Sequence, residues 1–553
     1  MFGRGYWTPD EPREADIAWR MSWQAEKAVP LLAGAAFCEK PPLTYWIAAE
    51  PIRLFGTDAW AARLPNLLYA VITALAVGWL TRRCVGGAAA MVGAAAMSTF
   101  LLSYQVAIWL ATDAPLLAAV SLALLGTFTG FYATQTRERL RGYFLMHAAL
   151  AAGFLCKSAA AWLVPAMTMV TLIVWEKRWR ELLRWELYMG LLLQAAIIFA
   201  WIWYVYVGAD GAAHLKVFFW NNLVGRFTRV DAPNALQYAG AHRNSPGKYL
   251  IELPLYLAPW TLLVIAALRK AWRQRKAALD DYRPVRFALA VSAPALAILS
   301  IAATARNIYF APALPGVALL LAWWSREISR QAERWDVRAL RATSALLLFG
   351  VLAFAAALSV IGADAWETMH GHAAYVLVSA AGLIGALVLA LIAWKAAGAN
   401  VWRAQVSLVL AYCALLVGPA SEVYRQVDTW QDLASVARAI ERDAAGKPLI
   451  LFAPDETTRA ILDMYARTDV GLIAGPIDAA AIDRLRAAAE SAPQSLIVVQ
   501  WPGRSAGLLR QSGSMDTLEQ ESQPAWAAAA RLRVAKRYSL PNGRRYVLLS
   551  ISR

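Results

Sequence analysis

The sequence predicts a polytopic α-helical membrane protein with a small α/β domain at its C-terminal end. Three observations predict it. Apolar runs of 18 or more residues recur from about residue 63 to 420, each long enough to carry a helix through roughly 30 Å of hydrocarbon. Basic residues gather in every second connector between those runs. From about residue 430 the long runs give way to short strand-like and amphipathic segments.

Residues 1–62 are polar or mixed, with no full span and no cleavable signal-peptide pattern. They read as a first extracytoplasmic loop with juxtamembrane helices. The helical bundle follows over 63–425. Its spans are expected near 64–81, 88–108, 115–133, 143–157, 158–175, 187–207, 249–268, 286–304, 308–325, 340–362, 374–394 and 403–421, about twelve in all. An extracytoplasmic loop at 208–248 interrupts them.

The connectors assign the sides. Those around 82–83, 136–141, 176–184, 269–286, 325–338 and 394–403 are basic, and they alternate with connectors that carry few positive residues. By the positive-inside rule the basic set is cytoplasmic. The net charge of +16 is therefore a topology signal, which argues against a nucleic-acid partner. The chain is 59% hydrophobic and 17% charged, with mean hydropathy +0.43, which excludes an ordinary soluble enzyme. Trp60, Trp175, Trp260 and Trp394 stand at run ends, as interfacial anchors do. The four cysteines follow no metal or disulfide spacing. An even number of spans leaves both chain ends outside. A signal-less segment of about 60 residues crosses a membrane with difficulty, so the pattern predicts one more helix ahead of Met1, thirteen in all.

Residues 430–553 read as a soluble α/β domain. "KPLILFAP" and "QSLIVVQW" have the pattern of buried strands, "ETTRAILDMYAR" and "AAAIDRLRAAAE" that of amphipathic helices. "RYSLPNGRRYVLLSI" reads as a hairpin around Asn542-Gly543. None of these segments carries a catalytic motif.

The candidate chemistry lies at the outer ends of the spans. "PDEPRE" places Asp10, Glu11, Arg13 and Glu14 just outside the membrane, where carboxylates are kept for work or for water. Asp10 and Glu11 are neighbours and would point about 100° apart on a helix, so one alone aims easily at a given reacting atom. Asp113 in "ATDAPL" stands at the same outer level, as do Glu39 and Lys40 in "EKPP", Arg226, Arg306 and Tyr309. Each has an ordinary reading when taken singly. Asp113 or Thr112 would cap the helix that starts near Pro115, Lys40 would snorkel, Arg306 and Tyr309 would anchor the interface, and Arg226 would be a loop cation. Taken jointly, the cations and the phenol suit a phosphate or pyrophosphate head group, and Asp10 and Asp113 suit a general base. A lipid phosphate donor with its tail in the bilayer fits both.

Over residues 6 to 320 these segments resemble the bacterial aminoarabinose transferase and protein mannosyltransferase-like family, integral-membrane glycosyltransferases of the GT-C type. The resemblance rests on an acidic pair followed by Arg, then Lys-Pro-Pro, Leu-Phe-Gly and Arg-Leu-Pro, in order across about 55 residues, with "ATDAPL", "FFWNNLVGRFT", "HRNSPGKYLIELP" and "ARNIYFAPALP" behind. It implies sugar transfer from a polyprenyl-phosphate donor to lipid A, another glycan or a protein, on the periplasmic face of the bacterial inner membrane. Asp10 takes the family's catalytic acidic position and Asp113 a second acidic position. Lys40, Arg226 and Tyr309 match positions that hold the lipid phosphate. Glu11, Arg13 and Glu39 are supporting residues, and Arg306 joins the phosphate-binding set.

Two departures stand out. Family members carry histidines near 218–226 that can hold a metal with the Glu before Lys-Pro-Pro, whereas this chain has Asn221 and Asn222 beside Glu39. The expectation is either no cofactor or a divalent metal, and a metal would lack those histidine ligands. The usual Tyr after the Arg is also missing. The competing class is a polyprenyl-phosphate carrier or flippase without bond chemistry. Against it, ionisable residues within the spans are few.

Overall fold

The computed structural model describes residues 3–226, 230, 245, 247–276, 282–302, 306–365, 373–418, 420, 427–465, 470–475, 477–501, 526–527 and 531–551. The expected 208–248 loop lies largely outside them. Two amphipathic helices, α1 (Asp10–Trp23) and α2 (Leu43–Phe55), fill the first segment, with a two-stranded ribbon between them, β1 (Leu31–Leu32) and β2 (Ala35–Ala36). The bundle follows as α3 (Ala59–Cys84), α4 (Gly87–Thr99), α5 (Leu101–Ile108), α6 (Asp113–Tyr132), α7 (Thr136–Lys157), α8 (Ala160–Glu176) and α9 (Trp185–Tyr206). After the short α10 (Gly211–Lys216) come α11 (Lys248–Tyr256), α12 (Thr261–Arg273), α13 (Arg283–Ile301), α14 (Leu314–Arg330), α15 (Arg334–Ala365), α16 (Ala373–Ala396) and α17 (Val401–Val417).

A helical stretch stands at each of the twelve expected positions, but they are not twelve straight spans. Among the described residues seven helices are long and apolar enough to cross a membrane, and nine if each of two bent pairs counts as one span. The helices α8 and α17 are 17 residues long, and α7 opens on Arg137, Glu138, Arg139 and Arg141. The expected span at 88–108 bends by 64° between α4 and α5, and that at 249–268 by 110° between α11 and α12. The two breaks meet. The Leu101 N–H donates to the Ala258 carbonyl at 2.9 Å, and Trp260 Nε1 donates to Thr99 Oγ1 at 2.8 Å. Broken helix in a bilayer survives only where its freed polar groups find protein partners, and here each break serves the other.

Burial sorts the helices. The apolar stretches of α6 and α14 are 89% buried, whereas those of α9, α15 and α16 are 22% buried and face outward. Small residues bring α6 and α7 together: a Cβ on Gly142 would sit 2.2 Å from the Gly130 nitrogen, so only glycine permits that approach.

Sidedness is legible in the contacts. At one end of α3, Arg63 binds Glu11; at the other, about 30 Å away along the axis, Arg83 pairs with Glu138. The second end also joins Arg286 to Glu176 at 3.0 Å and Lys270 to Asp336 at 3.1 Å. The basic connectors thus form one layer.

The C-terminal part is a five-stranded sheet in the order β4-β3-β5-β7-β6, from β3 (Leu449–Phe452), β4 (Val470–Ile473), β5 (Leu496–Trp501), β6 (Leu532–Ser539) and β7 (Arg545–Ile551). The first three run parallel, and β6 and β7 form the hairpin around Asn542-Gly543, where Gly543 has φ 88°. Its helix Glu456–Tyr465 packs on α1. Thr457 Oγ1 donates to the Pro9 carbonyl at 2.9 Å, and Arg459 to the Ala33 carbonyl at 2.8 Å.

With the native cysteines replaced, Arg137→Cys and Ala36→Cys chains in sealed vesicles should react with an impermeant maleimide from opposite faces of the membrane.

Candidate active site

The first turn of α1 sets the site. Acidic side chains favour a helix N-terminus, and Asp10 and Glu11 occupy it back to back. Glu11 points inward and is fully buried. Arg4 binds it with Nη1 at 2.6 Å and Nη2 at 2.9 Å, and Arg63 with Nη2 at 2.7 Å and Nε at 3.0 Å. The backbone N–H groups of Trp7 and Leu110 add bonds of 2.7 and 2.8 Å. Burial alone would raise this carboxyl, but the charges of Arg63 and Arg4 hold it below the usual range. Six donors leave it no capacity for a substrate. Its supporting role is to clamp three chain segments together.

Asp10 points the other way. Arg306 Nη2 donates to its Oδ2 at 2.5 Å, and Arg13 Nη1 stands 3.8 Å from Oδ1. Burial pushes this carboxyl up; the Arg306 hydrogen bond, then the Arg306, Lys40 and Arg13 charges, outweigh it and hold it below the usual range. Arg306 itself is half exposed.

The other expected residues collect around this pair. Lys40 precedes α2 and pairs with Glu14, whose carboxylate is nearly buried. Desolvation would lower the Lys40 ammonium, but Glu14 holds it above the usual range, so it stays a cation. Glu39 approaches Arg13 at 3.9 Å, and Asn222 Nδ2 donates to the Glu39 carbonyl at 2.5 Å. Arg13 also pairs with Glu456 at 2.9 Å and so couples the site to the C-terminal domain.

Asp113 starts α6. The helix begins two residues earlier than expected, and neither Thr112 nor Asp113 caps it through a side-chain hydrogen bond. Asp113 is buried and pairs instead with Lys157, the last residue of α7. Lys157 Nζ lies 4.9 Å from the centroid of the Tyr309 ring, a cation–π contact. Tyr309 belongs to a 3-10 turn over Asn307–Ala313, and its N–H donates to the Arg306 carbonyl at 3.0 Å. Tyr249 fixes the same carbonyl through its hydroxyl.

The chain of contacts therefore runs Asp113, Lys157, Tyr309, Arg306, Asp10, Arg13, Glu39. Eight of the nine expected residues lie in this one region. Arg226 ends a short turn over Val224–Arg226, and its side chain lies outside the described residues. Lys157 was missed. Its signal was a lone lysine in "FLCKSAA", between two apolar runs and on the side where cations are scarce.

The described residues around Glu39 form no metal-binding group. Glu39 faces Arg13, Asn222 spends its amide nitrogen on a carbonyl, and no group of three His, Cys, Asp or Glu that could hold an ion occurs among the described residues. The arrangement holds four cations, Arg13, Lys40, Lys157 and Arg306, each balanced by a carboxylate. An entering phosphate can compete for those cations and set a carboxylate free.

Residues 39–204 match the model of the dolichyl-phosphate-mannose-protein mannosyltransferase family. The chain is 29% identical over 405 residues to an undecaprenyl phosphate-alpha-4-amino-4-deoxy-L-arabinose arabinosyl transferase of Pseudomonas paraeruginosa, covering 73% of this chain and 68% of that protein. It is 30% identical over 323 residues to the transferase of the same name from Pseudomonas aeruginosa strain LESB58, covering 58% and 56%. The chain thus spans somewhat more than half to about two thirds of these relatives. The fold is that of ArnT from Cupriavidus metallidurans, in its apo state and bound to undecaprenyl phosphate. Each superposes with a TM-score of 0.70 at 18% identity, over 99% of this chain and 94% or 95% of that one.

Glu11→Ala removes the carboxylate that two buried guanidinium groups share and should cost about 3–5 kcal/mol of stability, measured by thermal unfolding in detergent. Asp10→Asn, on a half-buried rim, should leave the unfolding temperature nearly unchanged.

Proposed function

Since the chain belongs to the GT-C aminoarabinose transferase-like family of membrane glycosyltransferases, we propose that it moves a sugar from a polyprenyl-phosphate donor to an envelope acceptor, be it lipid A, another glycan or a protein. The reaction would take place on the periplasmic face of the bacterial inner membrane. The observation that carries this reading is the Asp10–Arg306 ion pair beside Lys40, Lys157 and Tyr309.

In this reading the donor phosphate enters between Lys40, Lys157, Arg306 and Tyr309, and Arg226 completes the set. Arg306 exchanges Asp10 for the phosphate, a better partner for a guanidinium fork. The loss of that partner raises the Asp10 carboxyl and makes it a stronger base. The acceptor oxygen attacks the anomeric carbon and gives its proton to Asp10. A new C–O bond forms, the bond from the anomeric carbon to the phosphate oxygen breaks, and the lipid phosphate leaves with the electron pair. Asp113 is a positioning residue that aims Lys157. The positive charge facing the leaving group comes from side chains, and no resident metal is invoked.

Asp10→Asn should retain donor binding and lose about 10²–10⁴ in transfer rate, measured with the purified chain in lipid discs. Undiminished transfer would refute the assignment, and translocation of the lipid without any transfer would favour the carrier. Mass spectrometry of envelope lipids and glycans from a deletion strain identifies the sugar and the acceptor.

The pH dependence has a definite sign. Asp10 is depressed in the free protein, so its ionised form persists as pH falls and is lost only below the usual carboxylate range. The acid limb of kcat/KM should lie there, and should move to higher pH in Arg306→Gln, which removes the largest stabilising partner.

A further inference from the structure

The helix Glu456–Tyr465 of the C-terminal domain begins beside the candidate site, and its first residues have separate tasks. Asp455 Oδ1 accepts from the Thr458 N–H at 2.7 Å and Oδ2 from Arg544 Nη1 at 2.9 Å. Thr457 ties the helix to Pro9, the residue before Asp10. Farther along, Arg459 reaches the Ala33 carbonyl and Asp463 pairs with Arg20. These contacts seat the domain on α1 without help from Glu456.

Glu456 is directed to Arg13, with Oε2 2.9 Å from Nε. That is the shortest of three approaches to one guanidinium. Arg13 Nη1 lies 3.8 Å from Asp10 Oδ1, and Nη2 lies 3.9 Å from Glu39 Oε2. Burial would lower the Arg13 guanidinium, but Glu456, ahead of Glu14, Glu39 and Asp10, holds it above the usual range. As an anchor Glu456 is poor: its side chain is 59% exposed, and an exposed ion pair adds little stability. Its effect falls instead on where Arg13 points.

Three cations face Asp10: Arg306 from the turn before α14, Lys40 from the segment before α2, and Arg13 from α1 itself. In the proposed reaction Arg306 leaves Asp10 for the donor phosphate. Lys40 is held by Glu14. Arg13, three residues along the same helix, is then the cation best placed to replace Arg306. Closing from 3.8 Å to hydrogen-bond distance, it would stabilise the carboxylate and leave a poor base.

Building on Asp10 as the base, we propose that Glu456 is a positioning residue supplied by the C-terminal domain. It holds Arg13 off Asp10, so that Asp10 gains basicity when the phosphate takes Arg306. The domain thereby takes part in the chemistry as well as in the architecture.

The test reads the Asp10 carboxyl directly. The full chain in lipid discs is treated with a water-soluble carbodiimide and an amine over a series of pH values, and site-resolved mass spectrometry follows labelling of the protonated carboxyl. Polyprenyl phosphate is the probe. In wild type the labelling midpoint should rise by about one pH unit when the probe binds. In Glu456→Gln most of that rise should vanish, with the unfolding temperature nearly unchanged. Glu456→Asp should restore part of it. In an Arg13→Gln chain, which lacks the residue that Glu456 acts through, adding Glu456→Gln should change nothing. A wild-type midpoint that stays put on binding would refute the exchange at Arg306, and the role of Glu456 with it. A midpoint that moves as far in Glu456→Gln as in wild type would leave the exchange standing and overturn the role of Glu456. An equal loss with and without Arg13 would overturn that role too.

Discussion

A carboxylate sealed from water has to be met by cations and N–H groups, and Glu11 is met by two guanidinium groups and two backbone amides. The rest of the outer face depends on this. The clamp joins the segment before α1, the start of α3 and the turn before α6, three pieces far apart in sequence. With Glu11 fixed inward, its neighbour Asp10 can only face the rim. The acidic pair therefore divides its work: one carboxylate builds the platform and the other faces the rim, where the proposed reaction would use it.

Around that platform the protein keeps its charges paired until they are needed. Lys40 with Glu14, Lys157 with Asp113, and Arg306 with Asp10 are cations parked on carboxylates at the mouth of an apolar bundle. The Arg306–Asp10 pair contributes little to stability, because the half-exposed Arg306 is screened, whereas the other two pairs are largely buried. In the proposed reaction all three provide readiness, since a phosphate arriving with its lipid tail in the bilayer would meet cations already in position. The C-terminal domain adds a hold from above, through Glu456 on Arg13 and Thr457 on the Pro9 carbonyl.

The sequence disclosed the bundle because long apolar runs and alternating basic connectors are physical requirements of a bilayer. It also pointed to charged residues that the fold brings together at one end of the bundle, because they stand at the outer ends of the apolar runs. Hydropathy cannot register what depends on tertiary partners. The bends at Phe100 and at Ala258-Pro259 lie inside apolar runs and are stable only because each satisfies the other. Lys157 was hidden for a related reason: it ends α7 with no connector to announce it, and only the fold brings it to Asp113 and Tyr309. The first turn of α6 differed because Asp113, expected as a second acidic site residue and singly as a cap, is paired with that lysine. The opposite fates of Asp10 and Glu11 follow from helix geometry, but which of them faces inward depends on Arg4 and Arg63.

The central claim is that Lys40, Lys157 and Arg306, from three distant segments, grip one phosphate. Calorimetric binding of polyprenyl phosphate to the purified chain tests it most directly, with wild type set against Lys40→Ala, Lys157→Ala and Arg306→Ala. The account predicts that each substitution weakens binding by about tenfold or more, as the loss of a charge-assisted contact should. Three variants that bind the lipid phosphate as tightly as wild type would contradict it.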